Sequence, residues 1–478
     1  MILMIVVMLQ FGVQAQGQSL VWGDPVPVGS SGEGLLRPRI AINAASEAVV
    51  IWGSTSPIEL RAAVGGSGGF AASTIINPAG VEPWSTTWAG ADLASSGDDV
   101  FVLFSTGSLG VGAIYCVGSS DGGMTWGDTV RTAPQPGLEA RFPTVAMVPG
   151  QGPVVLYMEF DPGWHNARYV ASRSLDGGMT FQPPVPVSAP YAPDEVCDCC
   201  TGHITAQGTN MAALFRNNDA DLRTIWGVVS NDNGGSFTTG AEIDPTGWMI
   251  GACPSSGPDA YIAGDSLRYV WMSGAVDGTK AYIGSAHWGT LATGPIRRVH
   301  LGPSVSTQQN FPRIAGAGDT LGVVWQQSVG GQHEVLFSWS TSGPSGLSAP
   351  DTINMALAGA QKNPDVSYAN GEFHFIWEDH ASSIVQYRTA TITDDTGIAP
   401  TPDGALPLAW PSPANDLLHL AIPEGVTRLL VADAMGRIVL DIAPTIPIST
   451  ATLPNGSYTL LAVDGTGRAM RSKFLVLH

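Results

Sequence analysis

Four of the five cysteines fall in two short strings, CDCC (Cys197, Cys199, Cys200) and GACP (Cys253). Such clustering has two chemical readings. In an oxidising compartment the sulfurs pair, Cys253 with one of the three and Cys199 with its neighbour Cys200. Kept as thiolates, the four would suit copper(I) or zinc, with His203 as an extra ligand, although the spacing is unlike that of an ordinary zinc knuckle. The fifth, Cys116, lies in an apolar run and reads as a buried free thiol.

Other residues suit the recognition of anions and sugars. Guanidinium forks bind carboxylates bidentately, and Arg39, Arg141, Arg216 and Arg313 occupy positions from which a clamp could be assembled. Carboxylates for acid–base or glycosidic chemistry are Glu159, Asp161, Asp194, Glu195, Glu378 and Asp379. Trp84, Trp88, Trp164 and Trp248, with Arg141, Arg216 and Arg223, would line a surface for extracellular carbohydrate or peptide. Tyr387 fits a strand better than a pocket. Nothing in the chain reads as a nucleophile elbow, a phosphate loop or a metalloprotease helix.

The elements that must carry these residues repeat. Strand-like runs ending in an aromatic recur at Trp52, Phe104, Tyr157, Phe215, Trp271, Trp325 and Trp377, 52 to 58 residues apart. Shorter strands of the form P-x-[IV] precede several of them, at Pro38, Pro143, Pro312 and Pro364. Three turns share one pattern, SSDGGMTW from Ser119, SLDGGMTF from Ser174 and SNDNGGSF from Ser230. Asp121, Asp176 and Asp232 would accept N–H groups within their own turns, and the glycines supply positive φ. Four short antiparallel strands per repeat predict an all-β fold, a seven-bladed β-propeller with a six-bladed ring as the alternative. The segment LVWGDPVPV from Leu20 should supply the outer strand of the last blade. Loops such as Glu82 to Trp88, Pro193 to His203, Asp244 to Pro254 and Glu159 to Arg168 would then gather on one axial face.

The three turns resemble the Asp-box of sialidases and bacterial-neuraminidase-repeat proteins, which implies structural roles for Asp121, Asp176 and Asp232 on the face opposite the active site. The C-x-C-C…C-P arrangement resembles one sialidase-like branch of those proteins without established chemistry. Sialidase activity would need three arginines, a Tyr–Glu pair and an Asp acid/base. RPRIA at Arg39 only loosely matches the family's first arginine motif, and Arg141, Arg216 and Arg313 sit in no family motif. The resemblance therefore implies a binding protein first and a glycoside hydrolase as the alternative.

WPSPANDLLHL from Trp410, VADAMGRIV from Val431, LPNGSYTLLAV from Leu453 and the closing KFLVL resemble the C-terminal sorting domain of the type IX secretion system of Bacteroidetes. That resemblance implies the type IX machinery as a partner. The organisation expected is a signal peptide over 1–15, the propeller over 16–393, a Pro/Gly-containing linker over 394–408 and a small β-sandwich over 409–478, giving a secreted or cell-surface protein.

Composition agrees. Among 478 residues, 59 are Gly and 35 Pro, and charged residues make up 13%, about half the usual share of about 25%. That disfavours long exposed helices. The net charge of −19, with no basic run, disfavours nucleic acid and anionic membrane surfaces. No run beyond the first fifteen residues reaches the roughly 18 apolar residues of a membrane span.

Overall fold

The computed structural model of the chain describes residues 18–302, 307–329, 331–355, 358–394, 409–410, 413–420, 425–433, 437–444, 447–464 and 469–478. The expected signal segment 1–15 and nearly all of the expected linker 394–408 lie outside the described residues. The chain divides into two compact units, the larger spanning Leu20–Thr393. No helix among the described residues is long and apolar enough to cross a membrane.

The larger unit is a β-propeller. Among its described residues the strands form seven antiparallel sheets, numbered here in chain order by their innermost strands. These are Leu36–Ile42, Asp92–Ser96, Glu139–Val148, His203–Gln207, Asp259–Ala263, Gln309–Ala317 and Gln361–Ala369. Each innermost strand touches the next, and the seventh touches the first.

The seven aromatics of the sequence repeat lie on the second strands, between 0% and 2% exposed. Burying each contributes roughly 1.5–3 kcal/mol, and the side chains pack between sheets. Every adjacent pair of sheets shares an apolar cluster, including the pair formed by the seventh and the first, where Val28, Trp52, Ile376 and Tyr387 meet. The N-terminal strands Gln18–Trp22 and Val26–Val28 pair with Ile384–Asp394, the third strand of the seventh sheet. That pairing covers an edge that would otherwise present open N–H and C=O groups.

The Asp turns repeat atom for atom. In the first, the Ser119 hydroxyl donates to Asp121 at 2.8 Å and accepts the Gly123 N–H at 2.9 Å, while the Thr125 N–H donates to Asp121 at 2.8 Å. Asp176 and Asp232 make the same bonds with Ser174 and Thr180, and with Ser230 and Ser236. Gly123 has φ +90°, and a Cβ there would lie 2.8 Å from Val49 of the preceding sheet, so both the turn and the packing require glycine. These hydrogen bonds, led by the Thr125 hydroxyl, hold the Asp121 carboxyl down at about 2.

The C-terminal unit has two antiparallel sheets, one of Ala409–Trp410, Leu417–Leu420 and Ile448–Ser449, the other of Ile438–Ile442, Val426–Asp433, Gly456–Asp464 and Ala469–Val476. Leu418, Leu420 and Ile448 from one and Leu429, Val431, Leu460 and Phe474 from the other form a single core, so the unit is a β-sandwich.

Candidate functional site

Each innermost strand contributes one polar residue at the same register: Arg39, Asp92, Thr144, His203, Asp259, Arg313 and Asp365. Each is paired with the residue that precedes the sheet's central aromatic. These seven side chains interlock around the axis. Arg39 lies 3.7 Å from Asp92, and Arg313 lies 3.3 Å from Asp259 and 2.9 Å from Asp365. His203 lies 3.0 Å from Asp259, and the Thr144 hydroxyl donates to Asp92. Three aspartates also accept a backbone N–H from the following sheet: Asp92 from Val145, Asp259 from Ile314 and Asp365 from Ile40. Burial alone would raise Asp365, but Arg313 and Arg39 hold it below the ordinary carboxylate value. The ring therefore plugs the axis and ties the sheets together.

Above the ring, on the face opposite the Asp turns, the chain enters four sheets through bulges. Arg37, Phe142, Phe311 and Asn363 have φ between 47° and 53°, and each precedes a proline. Positive φ is costly for such residues, yet it brings parts of the first, sixth and seventh sheets together. The Arg37 guanidinium lies 4.8 Å from the Phe311 ring centre and donates to Asn363. Arg37 N–H and Asn363 Nδ2 both donate to one oxygen of Glu378, whose other oxygen lies 2.8 Å from His380 Nε2. Glu378 is wholly buried and His380 is exposed. A buried carboxylate thus orients an accessible imidazole, an arrangement able to hold and move a proton.

Beside this cluster lies a cavity of about 250 Å³ bounded by Trp248, Met272, Thr279, Gln308, Asn310, Gln326, His333 and the exposed Cys253. Burial, helped by the charges of Lys362 and His380, keeps His333 below the ordinary imidazole value. A larger cavity of about 530 Å³ lies at the Asp-turn end, along Asp99, Phe101, Ser119, Trp126 and Met179. It brings together none of the loop arginines and is a gap between successive turns.

The sequence-predicted residues separate into groups. Trp84, Trp88, Phe142 and Trp164 surround Arg141, with ring centres 3.9 to 5.8 Å from its guanidinium carbon. Arg141 Nη1 donates to the Asp198 carbonyl, and burial lowers the group to about 10. Trp248 instead stacks on Arg216 at 5.4 Å. Arg216 is 0% exposed and donates to the carbonyls of Ser256, Arg223 and Met272, so it holds loops and does not face a ligand. Arg223 likewise donates to the Ile250 carbonyl and to Cys197 Sγ.

Arg39 and Arg313 belong to the axial plug, so no three-arginine clamp is assembled from Arg39, Arg141, Arg216 and Arg313. Arg168 binds both Glu159 and Asp161, and Asp161 lies below its ordinary value, chiefly through the Asn166 side chain. That leaves it a poor proton donor. Glu195 accepts the Asn166 N–H, and Asp194 is exposed. Asp379 caps its own turn through Ala381 and Ser382, and a strand-borne Tyr387 bonds His374 at 2.7 Å.

The cysteines pair as Cys197–Cys200 and Cys199–Cys253. The expected partner of Cys253 is thus found, but the vicinal Cys199–Cys200 bridge gives way to one between the ends of the CDCC string. His203 is not part of the cluster, because its two ring nitrogens face Asp259 and the Ala260 carbonyl. Cys116 is buried and unpaired, its thiol pushed well above the ordinary range by burial. The sequence reading missed Arg37, Asn363, His380, Gln308, Asn310, Gln326, Thr279 and His333. The only available signal was the X-Pro step at the start of four of the innermost strands.

No protein-family model matches the chain, and neither does any curated protein. Among solved structures it is similar to a polysaccharide lyase of family PL25, an ulvan lyase bound to -[GlcA(1-4)Rha3S]-. The identity is 10% over 76% of this chain and 95% of that one, with a TM-score of 0.50. A protein of unknown function from Dyadobacter fermentans matches at 11% identity over 78% of this chain and 99% of that one, with a TM-score of 0.46. The NanB sialidase of Streptococcus pneumoniae matches at 8% identity over 78% of this chain and 70% of that one, with a TM-score of 0.41. The likeness to the ulvan lyase is one of fold, an all-β propeller.

Proposed function

We propose that the protein binds extracellular glycan on its axial face, after export through the type IX machinery directed by residues 409–478. The observation that carries this reading is the cavity whose wall combines Trp248 with the amides of Gln308, Asn310 and Gln326 and the hydroxyl of Thr279. Amide and hydroxyl groups donate and accept, matching the hydroxyls of a sugar. A protein of similar fold holding -[GlcA(1-4)Rha3S]- makes glycan the class to test first.

Titration calorimetry against neutral and acidic oligosaccharides tests the reading. Gln308→Ala and His333→Ala should each weaken binding about fivefold, the worth of roughly one hydrogen bond. Binding indifferent to both but lost in Trp84→Ala/Trp88→Ala would move the ligand to the aromatic group around Arg141.

A copper or zinc centre on the cysteines is a second reading. It rests on the sulfurs of Cys197, Cys199 and Cys200 lying within 4.8 Å of one another. It requires both disulfides to be open, and metal analysis of protein purified under reducing conditions without chelator decides it.

A further inference from the structure

The two disulfides touch. Cys197 Sγ lies 3.6 Å from Cys199 Sγ, so a sulfur of each bridge is in van der Waals contact with the other bridge. The two bridges differ in access. Cys253 is exposed and lines the axial cavity, whereas Cys197, Cys199 and Cys200 are 0%, 7% and 0% exposed. The Arg223 guanidinium places Nη1 3.1 Å from Cys197 Sγ. In thiolate–disulfide exchange the negative charge spreads over the attacking, central and leaving sulfurs. A fixed cation beside them favours that charge.

Rigid surroundings keep the group together. The Cys200 N–H donates to the Cys197 carbonyl and the Cys197 N–H to that of Arg216, while the Tyr169 hydroxyl donates to the Cys200 carbonyl. A Cβ on Gly257 would lie 1.9 Å from the Thr201 carbonyl oxygen, so the strand-entry loop after Cys253 packs directly on the loop that carries the other three.

We propose that the four cysteines form a thiol–disulfide relay, in which an external dithiol reduces the outer bridge at Cys253 and the inner bridge takes over the pairing of Cys199. The external thiolate attacks Cys253 Sγ, forms a mixed disulfide and expels Cys199 as a thiolate. Cys199 attacks the neighbouring Cys197 Sγ, forming a Cys197–Cys199 bond and expelling Cys200, which takes up a proton. The second thiol of the reductant resolves the mixed disulfide, leaving Cys253 as a thiol and the reductant as its own disulfide. Two electrons and two protons pass to the protein, which keeps one bridge. The partner class is a dithiol, or in reverse a disulfide, that reaches the axial face. Reduction also frees the Cys253 wall of the cavity from the Cys199 loop.

The test is reduction of the full-length native protein with one molar equivalent of dithiothreitol, an iodoacetamide quench and disulfide mapping by mass spectrometry. The relay predicts alkylation of Cys253 and Cys200, with Cys199 retained in a bridge to Cys197. A Cys199–Cys200 bridge with Cys197 alkylated also supports transfer, through the other inner sulfur. Alkylation confined to Cys199 and Cys253, alkylation confined to Cys197 and Cys200, or no ordered pattern overturns the proposal. In Cys199→Ser the inner bridge should be reduced at least about tenfold more slowly than in the wild type, because the exposed entry is gone. An unchanged rate overturns the relay. The buried Cys116 should stay unalkylated throughout and so reports that the fold is intact.

Discussion

At the scale of single residues, charge is concentrated where seven strands meet. Arg313 touches Asp259 and Asp365 at once, and burial is outweighed by those two carboxylates, so its guanidinium is held more firmly protonated than usual. Asp365→Asn should leave that cation short of a partner and cost about 3–5 kcal/mol, the scale for breaking a buried pair, read by denaturant unfolding. Asp365 and Asp121 both titrate below their ordinary value of 3.8 in the fold. A depressed folded value means that their stabilisation is present above about pH 4 and is lost as pH falls toward 2. Melting temperature should therefore hold steady from pH 7 to about 4.5 and then drop. A flat profile down to pH 2 would show that neither the ring nor the Asp turns depend on ionised carboxylates. Little of this was visible in the chain, where Arg39 and Arg313 read as candidates for a substrate clamp, since nothing local marks the carboxylates that face them.

At the scale of elements, the aromatic that ends each second strand is a wedge between sheets. Trp377→Ala empties a site that is 2% exposed and should cost about 3–5 kcal/mol. The N-terminal strand acts differently, as a closure. Trp22 packs on Phe337 and Phe375, with Arg388 over its ring, and the strand covers the edge of Ile384–Asp394. Removing residues 18–28 should give a less stable protein that self-associates through that edge, measurable by light scattering. Strands, turns and this closure were legible because β-branched runs, Asp–Gly turns and the P-x-[IV] starts are local signals. The bulges were not, since the four prolines show only that a turn occurs and not that Arg37, Phe142, Phe311 and Asn363 take positive φ.

At the scale of the whole molecule, the propeller and the C-terminal sandwich each own a core. A chain ending at Thr393 should fold as a propeller with its melting behaviour nearly unchanged. If the tail directs type IX export, that form accumulates in the periplasm while the full chain reaches the medium or the cell surface. Normal export of the shortened chain would refute the sorting assignment. The sheets are joined by successive apolar clusters, so damage in one sheet should spread around the ring, and a single unfolding transition is expected for this unit by calorimetry.

The amino-acid sequence alone determined the strand pattern, the period near 54 residues, the Asp turns, the free Cys116 and the reach of Cys253 toward the CDCC string. Each depends on residues close in the chain or on a repeat that can be counted. Tertiary structure decided which side chains meet around the axis. Arg37 bonds Asn363 across 326 residues of chain, and Arg37 N–H bonds Glu378 across 341. Such contacts arise only when the ring closes, because closure turns residues at equivalent places in distant repeats into neighbours. Local pattern carries no term for which side chains that closure brings together, so it left the chemistry of the axis to the fold.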